Sequence, residues 1–580
     1  MIQSGKKEKV IGLIIENVFT DFAKETIQGI MNAIPEGSPL KLVIIAGKHD
    51  ESRESEDHQH YYKTIYNSIY RLEEMCDFDG LIISVGTIDQ KQDWMPDQRL
   101  LKQFSGIPKV FVASELEHEI TVNYENETGI REAVDYLVKV NGCSRLCMLG
   151  GRDDNADARK RKECFIKCLA ENNLPFFEHS YEKTDMSENS HAAARRLLDN
   201  NPEAQAIFCV NDGVAKGLYD VMRDRELVPG KDILVFGFDN TYMACNMIPS
   251  LTSIGTAEGT LGQKALSLLL DLMNGQPVQS VTVPTRLYGK ESFEYDMYEY
   301  TTMEMLKGDE DFIYRMFDEC FYRYRNEKIS RDDVNLKRLF FEFISRMLQA
   351  MRRRYMSIEE FGEMERLIDI FFDNGAMQYT DVAKLLVSIE KLQVGMNAAQ
   401  KSVAANVMNN RLFAHMKDQA LRAISAQRIR ENQKDQEERE RLQEFLIETT
   451  EYAGTGEETV ETVISNFDKL GLRNAAFYMY EEPVSYDHEK MTVFPGLVYL
   501  KCVMKAGELY VIPKERQECP MSSMFSRTEL PRKCKGYITF PVFLRRKIYG
   551  LLICELTRDI FERGEDIAGQ LGRALYMCNL

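Results

Sequence analysis

A single tryptophan, Trp94, occurs in 580 residues, and no stretch of the chain comes near the roughly 18 consecutive apolar residues that a membrane-crossing helix needs. The opening "MIQSGKKEKVIGLIIENVF" is too briefly apolar, broken at Glu16 and Asn17, to serve as a secretion signal. Thirteen cysteines are present without one CxxC pair, which fits reduced thiols in a cytoplasmic chain. Cys143, Cys147, Cys164 and Cys168 come closest to a four-thiol metal set. However, Cys147 lies in an apolar strand run and Cys164 and Cys168 share one helix face, a pattern of small apolar packing. Basic residues are outnumbered 91 to 73, a formal net charge of −18. Phosphate contacts need clustered positive charge, so direct nucleic-acid binding is not expected. The nucleophile elbow GxSxG, the phosphate loop GxxxxGK[ST] and a GG[DE]EF string are all missing. His58 and His60 fall in the acidic stretch 48–60, which reads as a solvated loop. No catalytic residue, no metal and no cofactor is therefore expected.

What is present is ordinary globular composition on a chain too long for one core. From Val10 to Leu287 short apolar runs alternate with helical stretches. The runs are 10–15, 40–47, 80–86, 108–114, 145–151, 206–210 and 233–238. Runs apolar on both faces, separated by helices, predict doubly wound parallel sheets, and seven strands predict two lobes. Residues 300–430 turn to amphipathic helices such as 311–325 and 336–351, followed by the charged stretch 430–441. From about Glu444 the pattern is α+β. A helix at 458–470 precedes strands at 474–481, 496–505 and 507–513, a hairpin at 536–556 turns at Arg545–Lys547, and a closing helix spans 562–578.

Open α/β sheets bind ligands beyond the carboxyl ends of their strands. Three runs end in polar residues there: "RDDNADARKR" after 145–151, "NDG" after 206–210 and "DN" after 233–238. Asp, Asn and Arg can exchange paired hydrogen bonds with hydroxyls or amides. Asp and Asn are equally favoured helix caps, so each end admits both readings.

The stretches "GCSRLCMLGGRDDNADARKRKECFIKCL", "AIFCVNDGVAKGLYDVMRDRELVPGKDILVFGFDN" and "IPSLTSI", in that order and spacing, resemble the effector-binding core of the lactose/galactose repressor (LacI/GalR) family. The resemblance covers residues 8–290. It implies a periplasmic-binding-protein-like pair of lobes joined by crossovers near Val122, Ser250 and Val283, with an N-lobe of 8–121 plus 251–282 and a C-lobe of 122–250. It implies a small polar effector, most simply a sugar, bound by lobe closure in a homodimer. The site residues it implies are Arg159, Asn211, Asp212 and Asp239 from the C-lobe and Asn17, Phe19, Phe22, Ser84 and Thr87 from the N-lobe. Family repressors carry a helix-turn-helix headpiece ahead of this core; here the first strand begins at Val10, so none is expected.

Residues 446–580 resemble a GAF domain, with "FPVFLRRKIYGLLICEL" as its central hairpin and "ERGEDIAGQLGRALYMCNL" as its closing helix. Together these resemblances imply a cytoplasmic regulator in which helices 300–445 relay effector binding to a GAF-like domain and a downstream output. Two alternatives stand beside it. One is the sensory part of a diguanylate cyclase or kinase whose catalytic domain follows residue 580. The other is a transcriptional regulator touching DNA through its helical region, where "MRRRYMSIEEFGEMERL" (351–367) sets three arginines before a helix.

Overall fold

The computed structural model describes residues 9–16, 18, 20–35, 38–48, 60–74, 78–84, 106–114, 116, 118–153, 155–256, 260–293, 307–321, 335–380, 382–399, 402–451, 457–486, 494–526 and 534–578. Apolar runs become strands β1 (Lys9–Glu16), β2 (Leu40–Gly47), β3 (Gly80–Ser84) and β4 (Lys109–Val112), followed by the short β5 (Thr121–Tyr124). All pair in parallel, β2 and β3 on either side of β1, then β4 beside β3 and β5 beside β4. Helix α1 (Asp21–Ala33) starts where the Thr20 hydroxyl accepts the Ala23 N–H at 3.2 Å, and α2 (His60–Tyr66) follows β2.

The chain then builds a second sheet from β6 (Leu146–Gly150), β7 (Tyr181–Lys183), β8 (Ala206–Cys209), β9 (Leu234–Phe238) and β10 (Thr252–Thr256). Helix α3 (Glu127–Lys139) precedes β6, and between the strands run α4 (Ala156–Glu171), α5 (His191–Asn200), α6 (Asp212–Asp224) and α7 (Tyr242–Asn246). After α8 (Leu261–Met273), β11 (Val281–Val283) joins β5 in the first sheet, and β12 (Thr285–Tyr288) lies antiparallel to β10 in the second. Two lobes thus exist as expected, but the boundary near Ser250 moves. β10 pairs in parallel with β9, Thr252 opposite Phe236, so 252–256 belongs to the C-lobe sheet and not to the N-lobe. Among the described elements of this segment, α8 and β11 return to the N-lobe.

One compact unit comprises Met1–Tyr124, Gly259–Val283 and Lys434–Leu580; the other comprises Glu125–Glu258 and Pro284–Gln433. The second unit adds helices α9 (Glu310–Cys320), α10 (Leu336–Arg353), α11 (Ile358–Asp373), α12 (Val382–Ala399) and the start of α13 (Val403–Glu451). Their shared core is rich in phenylalanine and methionine. Phe317, Phe321, Phe340, Phe343 and Phe371 form a network of stacked, tilted and edge-on pairs, with neighbouring ring centroids 5.0–5.8 Å apart. The arginine triplet 352–354 ends α10. Arg354 closes the helix in the left-handed conformation (φ 56°), Arg353 donates to Glu360 at 2.7 Å, and Arg352 donates to the Lys307 carbonyl. Cations at a helix C-terminus complement its dipole. The 49-residue α13 is about 74 Å long at 1.5 Å per residue. No described side chain between Leu421 and Glu444 is buried.

The C-terminal part contains α14 (Glu457–Ser465), β13 (Ala475–Ser485), β14 (Leu497–Lys505), β15 (Glu508–Val511), β16 (Glu518–Pro520), β17 (Gly536–Leu544), β18 (Lys547–Glu555) and α15 (Arg558–Cys578). The hairpin turns at Arg545, which takes φ 54°. Strand order is β17-β18-β13-β14-β15, antiparallel throughout, with β16 also beside β14. The segment expected as a GAF-like domain, 446–580, has one neighbour that its own pattern did not announce. β17 pairs in parallel with β2, Gly536–Thr539 opposite Leu42–Ile45, so that N-lobe and C-terminal domain share one twelve-stranded sheet. Local pattern could not reveal a pairing between strands about five hundred residues apart.

Candidate functional site

The carboxyl ends of β6, β8 and β9 deliver the expected polar residues, but their roles separate sharply. Helix α4 begins at Asn155, whose side chain accepts the Ala158 N–H at 2.9 Å. Its buried face then runs through Ala158, Arg161, Phe165, Cys168 and Leu169. Arg159 lies off that face. It is exposed, and it donates to the Asp153 carbonyl at 2.6 Å. Arg161, two residues on, is the arginine that enters the strand-tip cluster, at 3% exposure. The helical period set by Phe165 and Cys168 points back to Arg161, a signal the sequence carried.

Arg161 uses every edge of its guanidinium. Nε donates to Asn126 Oδ1 at 3.1 Å, Nη1 to the Val210 carbonyl at 2.8 Å and Nη2 to Asp239 Oδ1 at 3.3 Å. Its central carbon sits 3.6 Å from the ring centroid of Phe238, a cation held flat on an aromatic face. Asn126, which sequence reasoning missed, occupies the cap position of α3 without capping it. Its side chain instead accepts from Arg161 and donates to Asp157 Oδ1 at 3.0 Å.

Asp239 follows β9 with φ 97° and Asn240 with φ 48°, two consecutive non-glycine residues in the left-handed region. Such strain persists only where surroundings over-determine it, and it collects at functional sites. Here the Asp239 N–H donates to the Ile254 carbonyl at 2.7 Å, and Asn240 donates its N–H to Ser253 Oγ at 3.0 Å and accepts from Lys290 Nζ at 2.7 Å. The Asp239 side chain keeps 14% exposure beside the nearly buried Arg161.

Asn211 is the N-cap of α6: its Oδ1 accepts the Val214 N–H at 2.9 Å while its Nδ2 donates to the Met186 carbonyl at 3.0 Å. Asp212 is fully buried. Its Oδ1 accepts from Ser253 Oγ at 2.6 Å, and its Oδ2 accepts from the Thr241 N–H at 2.8 Å and hydroxyl at 2.9 Å. Burial first, and the Asp239 carboxylate second, push its pKa up to about 7 against the opposing pull of Ser253, Thr241 and Lys290. The pair at the end of β8 therefore caps a helix and ties strand ends together.

In the N-lobe, Ser84 is the buried last residue of β3, and Phe22 is half-buried in the first turn of α1. Asn17, Phe19, Thr87 and Trp94 lie outside the described residues.

Residues 134–293 match a family described as periplasmic binding protein-like domain. Catabolite control protein A of Priestia megaterium is 26% identical over 294 residues, 50% of this chain and 83% of that protein. The HTH-type transcriptional repressor CytR of Escherichia coli K12 is 27% identical over 190 residues, 32% of this chain and 55% of that protein. A solved transcriptional regulator CelR–cellobiose complex shares 20% identity, covers 49% of this chain and 85% of that one, and has a TM-score of 0.41. The first half of the chain is thus similar to the ligand-binding core of LacI-type regulators, and the relatives just named carry the names of regulatory proteins. No described helix is long and apolar enough to cross a membrane.

Proposed function

We propose that this chain is a cytoplasmic regulator whose C-lobe senses a small polar metabolite, a sugar or nucleoside, and whose lobes close upon binding. The observation that carries this reading is the Arg161–Asp239–Asn126 cluster on the Phe238 ring, held by a strained backbone at the strand tips. A carboxylate held in place by a guanidinium suits adjacent hydroxyls, from which it can accept, and the phenylalanine face fixes the arginine that positions it. Relatives named as repressors support a regulatory output, and they lend no support to the expectation that this chain avoids DNA. Closure shifts an equilibrium only by the effector's differential affinity, typically about 1–3 kcal/mol. Of the site residues implied by resemblance, Asp239 is the effector contact in this reading, Arg161 replaces Arg159, and Asn211 and Asp212 support them from behind.

The helical region and the C-terminal domain lie downstream. The strand order β17-β18-β13-β14-β15 with flanking helices supports a GAF-like reading of the latter. Leu421 and Ile429, 49% and 57% exposed on α13, favour a homodimer through that helix. An unchanged mass in light scattering for the Leu421→Glu/Ile429→Glu variant would refute this pairing.

A thermal-shift screen of sugars and nucleosides against the full chain tests the sensing reading. An effector at about a hundred times its Kd stabilises by about 2.7 kcal/mol. Asp239→Asn and Arg161→Lys should each abolish the shift, and Arg159→Ala should preserve it. Retention of the full shift in both cluster variants overturns the assignment.

A further inference from the structure

The N-lobe sheet ends on β2, and its outer edge is where the C-terminal domain sits. An open edge strand presents unpaired N–H and C=O groups, and proteins guard such edges with short length, charge, proline or bulges. β2 carries a single charge, Lys41, and is neither short nor broken by proline or a bulge. It is eight residues long, "LKLVIIAG", and every residue is buried, its one lysine included. A strand of this composition is built to be covered on both sides.

Its cover is β17, which is itself buried along all but its last residue. The Leu42 N–H donates to the Lys535 carbonyl at 2.9 Å, opening a parallel ladder that ends at Thr539 opposite Ile45. Residues 535, 537, 539 and 541 share one side of the strand by alternation, and Pro541 has no N–H to offer, which stops the ladder there. At one end of the seam, Lys535 Nζ donates to the Ile34 carbonyl at 3.3 Å, and α1 presses Met31 against Gly536, where an added Cβ would lie 2.7 Å from the Met31 sulfur. Toward the other, Lys48 of the N-lobe pairs with Glu565 of α15, both side chains under 20% exposed. Tyr62 donates its hydroxyl to the second Glu565 oxygen at 2.7 Å, and its ring lies 5.3 Å from that of Phe543. Lys48 also stands 5.3 Å over Tyr66, itself edge-on to Phe543 at 6.3 Å. Away from this seam, Phe78 meets Phe525 at 5.9 Å.

We propose that β2 is a dedicated docking edge for β17 of the same chain, making the N-lobe and the C-terminal domain one mechanical body. The C-terminal domain then follows the N-lobe directly when effector binds, in addition to any relay through the helices. That consequence rests on the sensing reading; the docking itself does not.

The test uses the full chain and no effector, so that its outcome is independent of whether the metabolite site is correctly placed. A zero-length carbodiimide joins an amine to a carboxylate already in contact. It should yield a Lys48–Glu565 isopeptide, and in a mixture of isotopically heavy and light chains that product should carry one label only. The exposed pair Lys167–Glu127 serves as positive control. Hydrogen exchange across 40–47 should be slow, about tenfold faster in Glu565→Lys, and slow again in the charge-swapped Lys48→Glu/Glu565→Lys chain. The proposal is overturned if the control forms without the Lys48–Glu565 product, if that product joins heavy to light chains, or if Glu565→Lys leaves exchange at 40–47 unchanged.

Discussion

The two lobe sheets finish their edges in opposite ways. The C-lobe sheet ends on β7, three residues "YEK" of which none is buried, with Glu182 accepting from Arg196 at 3.0 Å. The N-lobe sheet ends on β2, eight buried and nearly all apolar residues that continue into another domain's strand. A brief, charged edge protects itself, whereas a long apolar one must be protected by something else. The composition of an edge strand thus records whether the sheet stops there. The lobes also differ in what pins them. The N-lobe is completed at its side by apolar cover, and the C-lobe at its tips by a polar knot around Asp212, where Ser253, Thr241 and the strand ends meet.

The largest effect expected from this contrast follows a change of charge in each edge. Ile44 is completely buried and paired on both sides, with Gly536–Thr539 alongside. Ile44→Lys buries an uncompensated ammonium at a site with no room to relax and should cost about 4–5 kcal/mol, abolishing cooperative melting of the N-lobe and the C-terminal domain together. Glu182→Thr on β7 loses one surface ion pair and should cost below about 1 kcal/mol. Calorimetry on both variants checks the comparison. Should Ile44→Lys be as mild as Glu182→Thr, β2 is not a sealed edge.

Much of this arrangement was legible in the residues. Apolar runs located β1 to β4, β6, β8 and β9, because a strand covered on both faces must be apolar on both. The hairpin of β17 and β18 was equally plain from its polar turn. The short β5, β7, β10, β11, β12 and β16 carried no such run and were not foreseen. Strand ends were correctly read as polar, but the choice between cap and ligand group could not be made from them. Asn211 proved a cap, and Asp212 an interior tie, because the side chains that satisfy it, Ser253 and Thr241, come from other segments. Arg159 and Arg161 differ by two positions, about 200° around a helix, and only the burial of Phe165 and Cys168 tells which one turns inward. The seam left one trace in sequence, the nearly unbroken apolar run of β2, which becomes readable only once β2 is known to be an edge.

The smaller expected effect concerns the C-lobe's knot and is read as a pH dependence. Asp212 in the folded chain has its pKa raised to about 7, against about 3.9 for an unfolded aspartate. The charged and titratable groups facing it are Asp239, which raises the value, and Lys290, which lowers it, with Cys209 beside it. A raised folded pKa means that the folded state holds the proton more tightly. Its stabilising contribution is full below pH 4, and is lost as pH rises to about 7, because the unfolded chain ionises first. At 1.36 kcal/mol per unit the loss reaches at most about 4 kcal/mol, and the hydroxyl and amide donors around the carboxylate hold it below that ceiling. Asp212→Asn removes the titration but keeps a neutral group of the same shape. C-lobe melting temperatures of the parent should therefore fall between pH 5 and pH 8 by more than those of Asp212→Asn. Parallel curves would mean that the donors of Ser253 and Thr241 hold Asp212 ionised throughout, a fixed charge at the heart of the lobe and not a proton-bearing tie.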